Sequence, residues 1–186
     1  MKRVVITGCG TVNALAQNVE GTLAAFEAGK CAIAPLEIAD QHRLAIKIGA
    51  QIKDWRPETH FARPQIALLD RFAQFALVAA RQAVAQSGLN FDQALGDCSG
   101  VILGSAAGGM NTQDDTFRSV YQDGKDRVHP LVVPRLMHNA AASHLSIEFG
   151  LRGPSFCVSS ACASSNHAMG LAYQAIRSGE ASVMLT

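Results

Sequence analysis

The stretch Ser155-Phe-Cys-Val-Ser-Ser-Ala-Cys-Ala-Ser-Ser-Asn-His-Ala-Met-Gly170 decides the fold of this chain. Its first part is a short apolar run that predicts a strand, and its alanine-rich second part has the 3.6-residue period of a helix. Cys162 lies where the two parts meet. Because the first backbone N–H groups of a helix are unpaired and carry the positive end of its dipole, a thiol placed there favours the reactive thiolate. The stretch therefore predicts a nucleophile, against the alternative that the free cysteine is a small buried side chain.

Predicted strands alternate with predicted helices along the rest of the chain. The expected strands are Val4–Thr7, Ser99–Gly104, Ser155–Ser160 and Ala181–Thr186, with a weaker one between residues 46 and 52. The expected helices begin at the Asn18 cap, near Pro64 (ending at Gly88), near residue 111, near Leu136 (ending at Phe149) and after Cys162. This alternation predicts an α/β domain whose mixed, mostly parallel sheet is covered by helices. Because the last strand reaches Thr186, we expect the sequence to be one piece of a longer fold.

Composition excludes several classes of protein. Hydrophobic residues make up 48% of the 186 residues, which is enough for a buried core, and 16 basic and 15 acidic residues give a net charge of +1. The charges form no basic stripe, so a nucleic-acid partner is not expected. No apolar run approaches the roughly 18 residues of a membrane span. Five cysteines without a repeated spacing predict a reduced, cytoplasmic setting.

Two further motifs are weaker than the first. Gly8-Cys9-Gly10 follows an expected strand, as in dinucleotide-binding turns, but Asn13 stands where a third small residue is needed, so a tight turn is favoured. Ser105–Gly109 predicts either a phosphate-binding loop or a strand-end turn that lines a pocket. His167 is expected to pack or form a hydrogen bond, because it lies over one helical turn beyond the cysteine. We expect neither a metal nor a cofactor, since three candidate ligands have no common zinc spacing: Cys157, Cys162 and His167.

Six segments together resemble the β-ketoacyl-acyl-carrier-protein synthases of the thiolase superfamily. The resemblance is to the type II elongating enzymes or to the ketosynthase domains of polyketide systems, and it spans nearly the whole chain in the family's order. The segments are Arg3–Val12, Asp70–Ala76, Gly104–Gly109, Pro130–Pro134, Phe149–Pro154 and Ser159–Gly170. The last is the family's nucleophile motif. The resemblance implies that residues 1–186 are the N-terminal half of a thiolase-like fold, which is layered αβαβα in the complete enzyme.

The resemblance also implies a reaction. Cys162 would take an acyl group from acyl carrier protein as a thioester, and its backbone N–H would be one oxyanion donor. A carbanion formed by decarboxylation of a malonyl carrier protein would then attack that thioester and lengthen the chain by two carbons. In the family, two histidines, a lysine and a glycine-rich loop of the C-terminal half complete the site. That half is absent from these residues, so we expect them alone to be unable to condense malonyl thioesters.

Substrate pocket and partners follow from the same resemblance. An excursion at about residues 107–135 would lie near the acyl pocket and the dimer interface, with Ala107, Gly108 and Val132 as substrate-binding residues. Ala107 and Val132 are smaller than the residues common in elongating enzymes, which predicts a pocket for long or bulky acyl chains. The strand Ser155–Ser160 would pair across a two-fold axis, which predicts a homodimer or a heterodimer with a related subunit.

Two alternatives to an elongating synthase stay open. The first is another thiolase-fold acyltransferase that uses coenzyme A, although Asn139, Arg152 and the residues around Cys162 favour a carrier protein. The second is a non-catalytic chain-length or scaffold partner; such partners usually lack the nucleophile that is present here. Acyl chain length and the choice between fatty-acid and polyketide synthesis are not encoded in any motif that we identify.

Overall fold

The computed structural model describes residues 2–186 as eight helices and five short strands, with 3₁₀ turns at Gln41–Arg43 and Pro57–Thr59. The helices are α1 (Val19–Glu27), α2 (Arg63–Leu68), α3 (Arg71–Ser87), α4 (Gln93–Asp97), α5 (Met110–Tyr121), α6 (Val132–Leu136), α7 (Ala140–Phe149) and α8 (Ser164–Ser178). The strands are β1 (Ile33–Pro35), β2 (Ile48–Ala50), β3 (Ser99–Gly104), β4 (Ser155–Val158) and β5 (Val183–Leu185). None of these helices has both the length and the apolar character needed to cross a bilayer.

The main sheet is parallel and has the strand order β4–β3–β5. Residues 101–104 of β3 pair with residues 155–158 of β4, and residues 99–101 pair with residues 183–185 of β5. Parallel neighbours need long crossovers, and the helices between these strands supply them. β1 and β2 form a separate antiparallel pair. The expected α/β class with a mostly parallel sheet is therefore confirmed.

Helices cover both faces of this sheet. Val101 on one face is completely buried in the core cluster. Gly104, three residues later, faces the other side of the sheet, and a Cβ there would meet the backbone of Ser164 in α8. The first face is packed by α3 and α7, and the small Ala141 and Ala142 of α7 permit close approach. The buried members of the core cluster are Phe61, Leu69, Ala73, Leu77, Val78, Val101, Ala141, Ala142, Leu145 and Leu151.

The helix expected from Pro64 to Gly88 is interrupted in its first third. Leu69 and Asp70 adopt extended conformations, and the Asp70 carboxylate accepts a hydrogen bond from the Phe72 N–H, so it caps α3 as a new helix. The expected C-terminal stop is confirmed, since Gly88 has a φ of 66°. One continuous helix over this stretch was therefore a wrong prediction, although both pieces remain helical.

The helix expected from Leu136 to Phe149 begins only at Ala140. The Leu136 carbonyl accepts the Gly109 N–H at 3.0 Å, and Met137 is extended. A tertiary hydrogen bond thus takes the acceptor that would have continued the helix. The preceding residues form the short α6 instead, and Gly150, with a φ of 63°, ends α7 as expected.

The expected buried strand at Val4–Thr7 is absent from the sheet. Val5 and Ile6 are 59% and 90% exposed, and β3 pairs directly with β5. The segment lies along α3, where the Gln86 side chain accepts the Cys9 N–H at 2.6 Å and a Cβ on Gly8 would lie 2.0 Å from the Ala83 carbonyl oxygen. Side-chain amides therefore replace a strand ladder here, and the prediction of a buried strand is wrong.

Candidate active site

Cys162 lies in the turn between β4 and α8. β4 ends at Val158 and α8 begins at Ser164, so the thiol precedes the first helical residue by two positions, and it is exposed. Among the hydrogen bonds of residues 2–186, none uses the Cys162 backbone N–H as its donor. The turn thus offers an accessible sulfur and a free N–H on the same residue.

Hydrogen bonds from α8 fix the shape of this turn. Ala161 has a φ of 49°, in the left-handed region. The Ser164 hydroxyl accepts the Ser160 N–H at 2.9 Å and donates to the Ala161 carbonyl at 2.7 Å. The Ser160 hydroxyl lies 2.7 Å from Nδ1 of His167, so the expected hydrogen-bonding role of His167 is confirmed. The residue directly before Cys162 is therefore held on both sides.

Cys157 differs from Cys162 although it lies only five residues earlier. Its Sγ lies 3.6 Å from the Val158 carbonyl oxygen. Burial raises the pKa of the Cys157 thiol, and a hydrogen bond with the Ser105 backbone acts in the opposite direction. A raised pKa keeps the group protonated, which disfavours it as a nucleophile. Within residues 2–186, no group of three or more His, Cys, Asp or Glu side chains is arranged to hold a metal ion.

The loop Ser105–Gly109 follows β3 at the same edge of the sheet as Cys162. The carboxyl ends of parallel strands share one edge, and the Ser105 N–H donates to the Val158 carbonyl at 3.0 Å. Gly108, with a φ of 64°, donates its N–H to the Ser105 hydroxyl at 3.1 Å, and Gly109 donates to Leu136. Because both glycine N–H groups already have acceptors in the protein, the geometry disfavours a phosphate-binding loop and leaves a strand-end turn.

The three predicted substrate-binding residues lie in two places. Ala107 is exposed and Gly108 is half-buried in the loop after β3, whereas Val132 begins α6. Val132 lines a groove of about 170 Å³ between α6 and α5 whose lining includes neither Ala107 nor Cys162. A wider groove, of about 370 Å³, lies beside Trp55 and Arg71 and shares no residue with the Cys162 turn. The structure thus brings Ala107 and Gly108, but not Val132, to the sheet edge that carries the thiol.

Asp70 anchors the helix that follows this loop. Its carboxylate is 2% exposed and accepts hydrogen bonds from the N–H and the hydroxyl of Thr112, at 2.7 and 2.6 Å, as well as from Phe72. One buried carboxylate therefore joins the starts of α3 and α5. An aspartate before an apolar helix is a capping signal that can be seen in the sequence. The hydrogen bond between Asp70 and Thr112, 42 positions later, has no such signal.

Sequence reasoning missed the residues that hold the nucleophile in place. Ser164 is 3% exposed, and a Cβ on Gly104 would lie 2.3 Å from both the Ser164 carbonyl carbon and the Ser165 nitrogen. The sequence marks Gly104 as the end of a strand and as part of the Gly104–Gly109 segment, but does not indicate its contact with α8. Ser164 is the first residue of α8 and not its N-cap, and its hydroxyl bonds back to Ser160 and Ala161, so no helix-capping pattern identifies it.

Comparison with known proteins gives a consistent result over the whole chain. Residues 1–186 match the family described as "Beta-ketoacyl synthase, N-terminal domain". Nodulation protein E of Rhizobium leguminosarum bv. trifolii is 40% identical over 184 residues, which is 99% of this chain and 46% of that protein. The 3-oxoacyl-[acyl-carrier-protein] synthase 2 of Staphylococcus aureus (strain COL) is 32% identical over 185 residues, 100% of this chain and 45% of that protein. The chain therefore spans about half the length of these curated relatives.

A solved structure shares the architecture. The ishigamide ketosynthase/chain length factor superposes with a TM-score of 0.85 at 25% sequence identity, over 95% of this chain and 44% of that one. This coverage shows that nearly the whole of this chain shares its fold with a ketosynthase-type structure.

Proposed function

The chain belongs to the β-ketoacyl synthase family through its N-terminal domain and has the thiolase-like fold of that family, and on this premise we propose that Cys162 is its acyl acceptor. The Cys162 sulfur attacks the carbonyl carbon of an acyl thioester. The bond from that carbon to the donor sulfur breaks, the donor leaves as a thiolate that takes up a proton, and the acyl group remains on Cys162. The observation that carries the proposal is the exposed thiol in the turn between β4 and α8.

We expect a backbone N–H group to stabilise the negative charge that develops in this step. Negative charge develops on the thioester oxygen as the sulfur adds, and a preorganised N–H aimed at that oxygen lowers the barrier. The Cys162 N–H has no acceptor among residues 2–186 and is carried by the attacking residue itself. We assign it as one oxyanion donor; a second donor and the groups that promote decarboxylation are not identified in this chain.

The second half of the proposal is decarboxylative condensation. A malonyl thioester loses CO₂, and the carbanion attacks the acyl-Cys162 carbonyl, which frees the thiolate and yields a chain longer by two carbons. Residues 1–186 span less than half of the relatives that they match, so we expect them to be acylated without catalysing condensation. Elongated product formed by this chain alone, measured by mass spectrometry with malonyl carrier protein, would contradict that expectation.

The acyl chain is proposed to leave Cys162 past Ala107 and Gly108. Both residues lie in the loop at the thiol's edge of the sheet, and the methyl group of Ala107 leaves room there. Val132 is proposed to border the same chain farther along, on the α6 side. Ala107→Phe should therefore shorten the longest acyl group that Cys162 accepts, while Val133→Phe, at an exposed neighbour in α6, should not. An unchanged chain-length profile for Ala107→Phe would remove this assignment.

The proposed partners are an acyl carrier protein and a second ketosynthase-like subunit. The carrier protein is named in the 32% identical relative, and a ketosynthase/chain length factor is the subject of the similar structure. Within residues 2–186, β4 pairs on one side only, with β3, and Phe156 on it is 41% exposed. An edge of this kind supports strand pairing with an identical or related subunit. The five free cysteines support a cytoplasmic setting.

The experiment that tests the proposal is transfer of a labelled acyl group to the chain. The wild-type chain should take up the labelled acyl group from acylated carrier protein. Cys162→Ala should take up none, and Cys157→Ala should be labelled like wild type. Acyl coenzyme A offered in parallel distinguishes the two donor classes. A chain that takes no label from either donor fits the alternative of a non-catalytic chain-length partner, and labelling that survives Cys162→Ala overturns the assignment.

A further inference from the structure

Ala161 has an unfavourable backbone conformation directly before the proposed nucleophile. Its φ of 49° lies in the left-handed region, where the Cβ of an L-residue crowds the following carbonyl oxygen. Such conformations persist only where the surrounding structure holds them, and they concentrate at functional sites. Within residues 2–186 only two other non-glycine residues have a positive φ, Asp40 and Asp54, and both lie outside the turn. The groups that hold Ala161 therefore determine where Cys162 stands.

The Ser164 hydroxyl forms hydrogen bonds with the backbone of both Ser160 and Ala161. It accepts the Ser160 N–H at 2.9 Å and donates to the Ala161 carbonyl at 2.7 Å. The separation of those two backbone atoms depends on the ψ of Ser160 and on the φ and ψ of Ala161, so one hydroxyl that binds both of them favours that conformation. The Ser164 N–H also donates to the Ala161 carbonyl, at 3.1 Å. The side chain is 3% exposed, so water does not readily replace either bond.

Ser164 itself cannot easily move. Gly104 lies so close that a Cβ there would be 2.3 Å from the Ser164 carbonyl carbon, and Gly104 belongs to β3, which pairs with strands on both sides. A second tie runs from the Ser160 hydroxyl to Nδ1 of His167, one turn farther along α8. The turn is thus hydrogen-bonded to α8, and α8 packs against the central strand β3.

We propose that Ser164 is a positioning residue for Cys162. Its hydroxyl holds Ala161 left-handed, and this conformation places both the Cys162 sulfur and the Cys162 N–H at the start of α8; His167 supports the same turn through Ser160. The proposal rests on the proposed function of Cys162 as the acyl acceptor. Ser164 acts through Ala161 and takes no part in the transfer itself.

The test compares Ser164→Ala with Ser165→Ala in the full 186-residue chain. Ser165 is the exposed neighbour, and its side chain makes no hydrogen bond among the described residues. Each variant is treated with iodoacetamide at one fixed pH, and the rate at every cysteine is read by peptide mapping. Exposed Cys31 is an internal reference, while faster labelling of Cys98 and Cys157 would report general opening of the fold.

We expect Ser164→Ala to lower the Cys162 rate on the order of tenfold relative to Cys31, as the loss of one or two hydrogen bonds would. Ser165→Ala should stay within about twofold of wild type, because it removes no hydrogen bond. Adding Ala161→Gly to Ser164→Ala should restore most of the rate, since glycine tolerates a positive φ without strain. A serine needed only to fill its buried site would show no such rescue. Equal rates in Ser164→Ala and Ser165→Ala, or no rescue, overturn the proposal.

A second measurement does not depend on the chemistry of Cys162. The three-bond HN–Hα coupling and the carbon shifts of Ala161 report the sign of its φ. They should indicate a left-handed Ala161 in wild type and Ser165→Ala and a right-handed one in Ser164→Ala. If Cys162 in wild type reacts no faster than Cys31, the proposed function loses its support, while the NMR result still decides whether Ser164 holds the turn. A left-handed Ala161 in Ser164→Ala overturns the proposal in either case.

Discussion

Two regions of this molecule have similar sequences and different structures. Val4–Gly10 and Phe156–Cys162 each combine apolar and β-branched residues with small ones, and they contain one and two cysteines respectively. The second contains residues 156–158 of β4, which pair with residues 102–104 of β3, and continues into a fixed turn before α8. The first lies along α3 without a strand partner, and Ile6 in it is 90% exposed.

The turn around Cys162 and the segment around Cys9 also differ in where their hydrogen-bond partners lie. Around Cys162 they are close in sequence: Ser160 binds Ser164, four residues away, and Ala161 binds it from three residues away. The Cys9 N–H instead reaches Gln86, 77 residues away. An apolar run therefore predicts that a segment tends to be buried, but pairing in a sheet depends on neighbours that the run itself does not specify.

The largest expected effect comes from adding a methyl group where the N-terminal segment, or the strand β3 that pairs with β4, approaches a helix. A Cβ on Gly104 would lie 2.3 Å from the backbone of α8, in a strand paired on both sides, so Gly104→Ala should cost roughly 2–3 kcal/mol of stability. A Cβ on Gly8 would come as close to the Ala83 carbonyl, but no ladder holds that segment, so Gly8→Ala should cost only about 1 kcal/mol. Urea denaturation measures both.

A glycine with open space around it serves as the control for that comparison. A Cβ on Gly170 in α8 would meet nothing within 4 Å, so Gly170→Ala should raise stability by roughly 0.5–1 kcal/mol through helix propensity. If Gly8→Ala proves as costly as Gly104→Ala, the N-terminal segment is as firmly held as the central strand, and the contrast between the two regions does not stand.

A smaller effect is expected where glutamine side chains hold the N-terminal segment. Gln86 accepts the Cys9 N–H at 2.6 Å, and Gln82 accepts the Thr11 N–H at 3.1 Å and donates to the Gln17 carbonyl at 2.7 Å. Gln82→Ala and Gln86→Ala should each cost about 1 kcal/mol and speed amide exchange at Cys9 and Thr11.

The same variants should leave the Cys162 turn unchanged. Iodoacetamide labelling of Cys162 should match wild type, and Gln93→Ala, at an exposed glutamine in α4, should change neither readout. Slower labelling of Cys162 in Gln86→Ala would show that the two regions are coupled, contrary to the separation described above.

Much of the fold and the position of the candidate nucleophile follow from the sequence, because they depend on local patterns. The strand–cysteine–helix order around Cys162 and the stop at Gly88 are of this kind. What could not be predicted depends on distant partners. Asp70 interrupts an expected helix and bonds to Thr112, and the Gly109 N–H takes the Leu136 carbonyl that would have continued another. The left-handed φ of Ala161 likewise has no signal at Ala161 itself.

The smallest expected effect is the response to acid. Burial lowers the pKa of His144 in α7, and a hydrogen bond with the Leu68 backbone opposes this. Below about pH 6.5, the usual pKa of an unfolded histidine, the unfolded chain then binds more protons than the folded one, so stability falls as pH falls. His144→Gln should flatten the decline between pH 7.5 and 5.5 in urea denaturation. An equally steep decline in the variant would show that other titratable groups cause the loss of stability at low pH.

Cys162, and not Cys9, which also lies among small residues, is the acyl acceptor that we propose. The most direct test is to treat the wild-type chain with one equivalent of acyl carrier protein that bears a short acyl group and to locate the acyl group by tandem mass spectrometry. We predict that the acyl group is found on the peptide that contains Cys162, with an occupancy on the order of tenfold above that of the Cys9 peptide. The reason is that only Cys162 stands at a helix start. Comparable occupancy of the two peptides would contradict the claim.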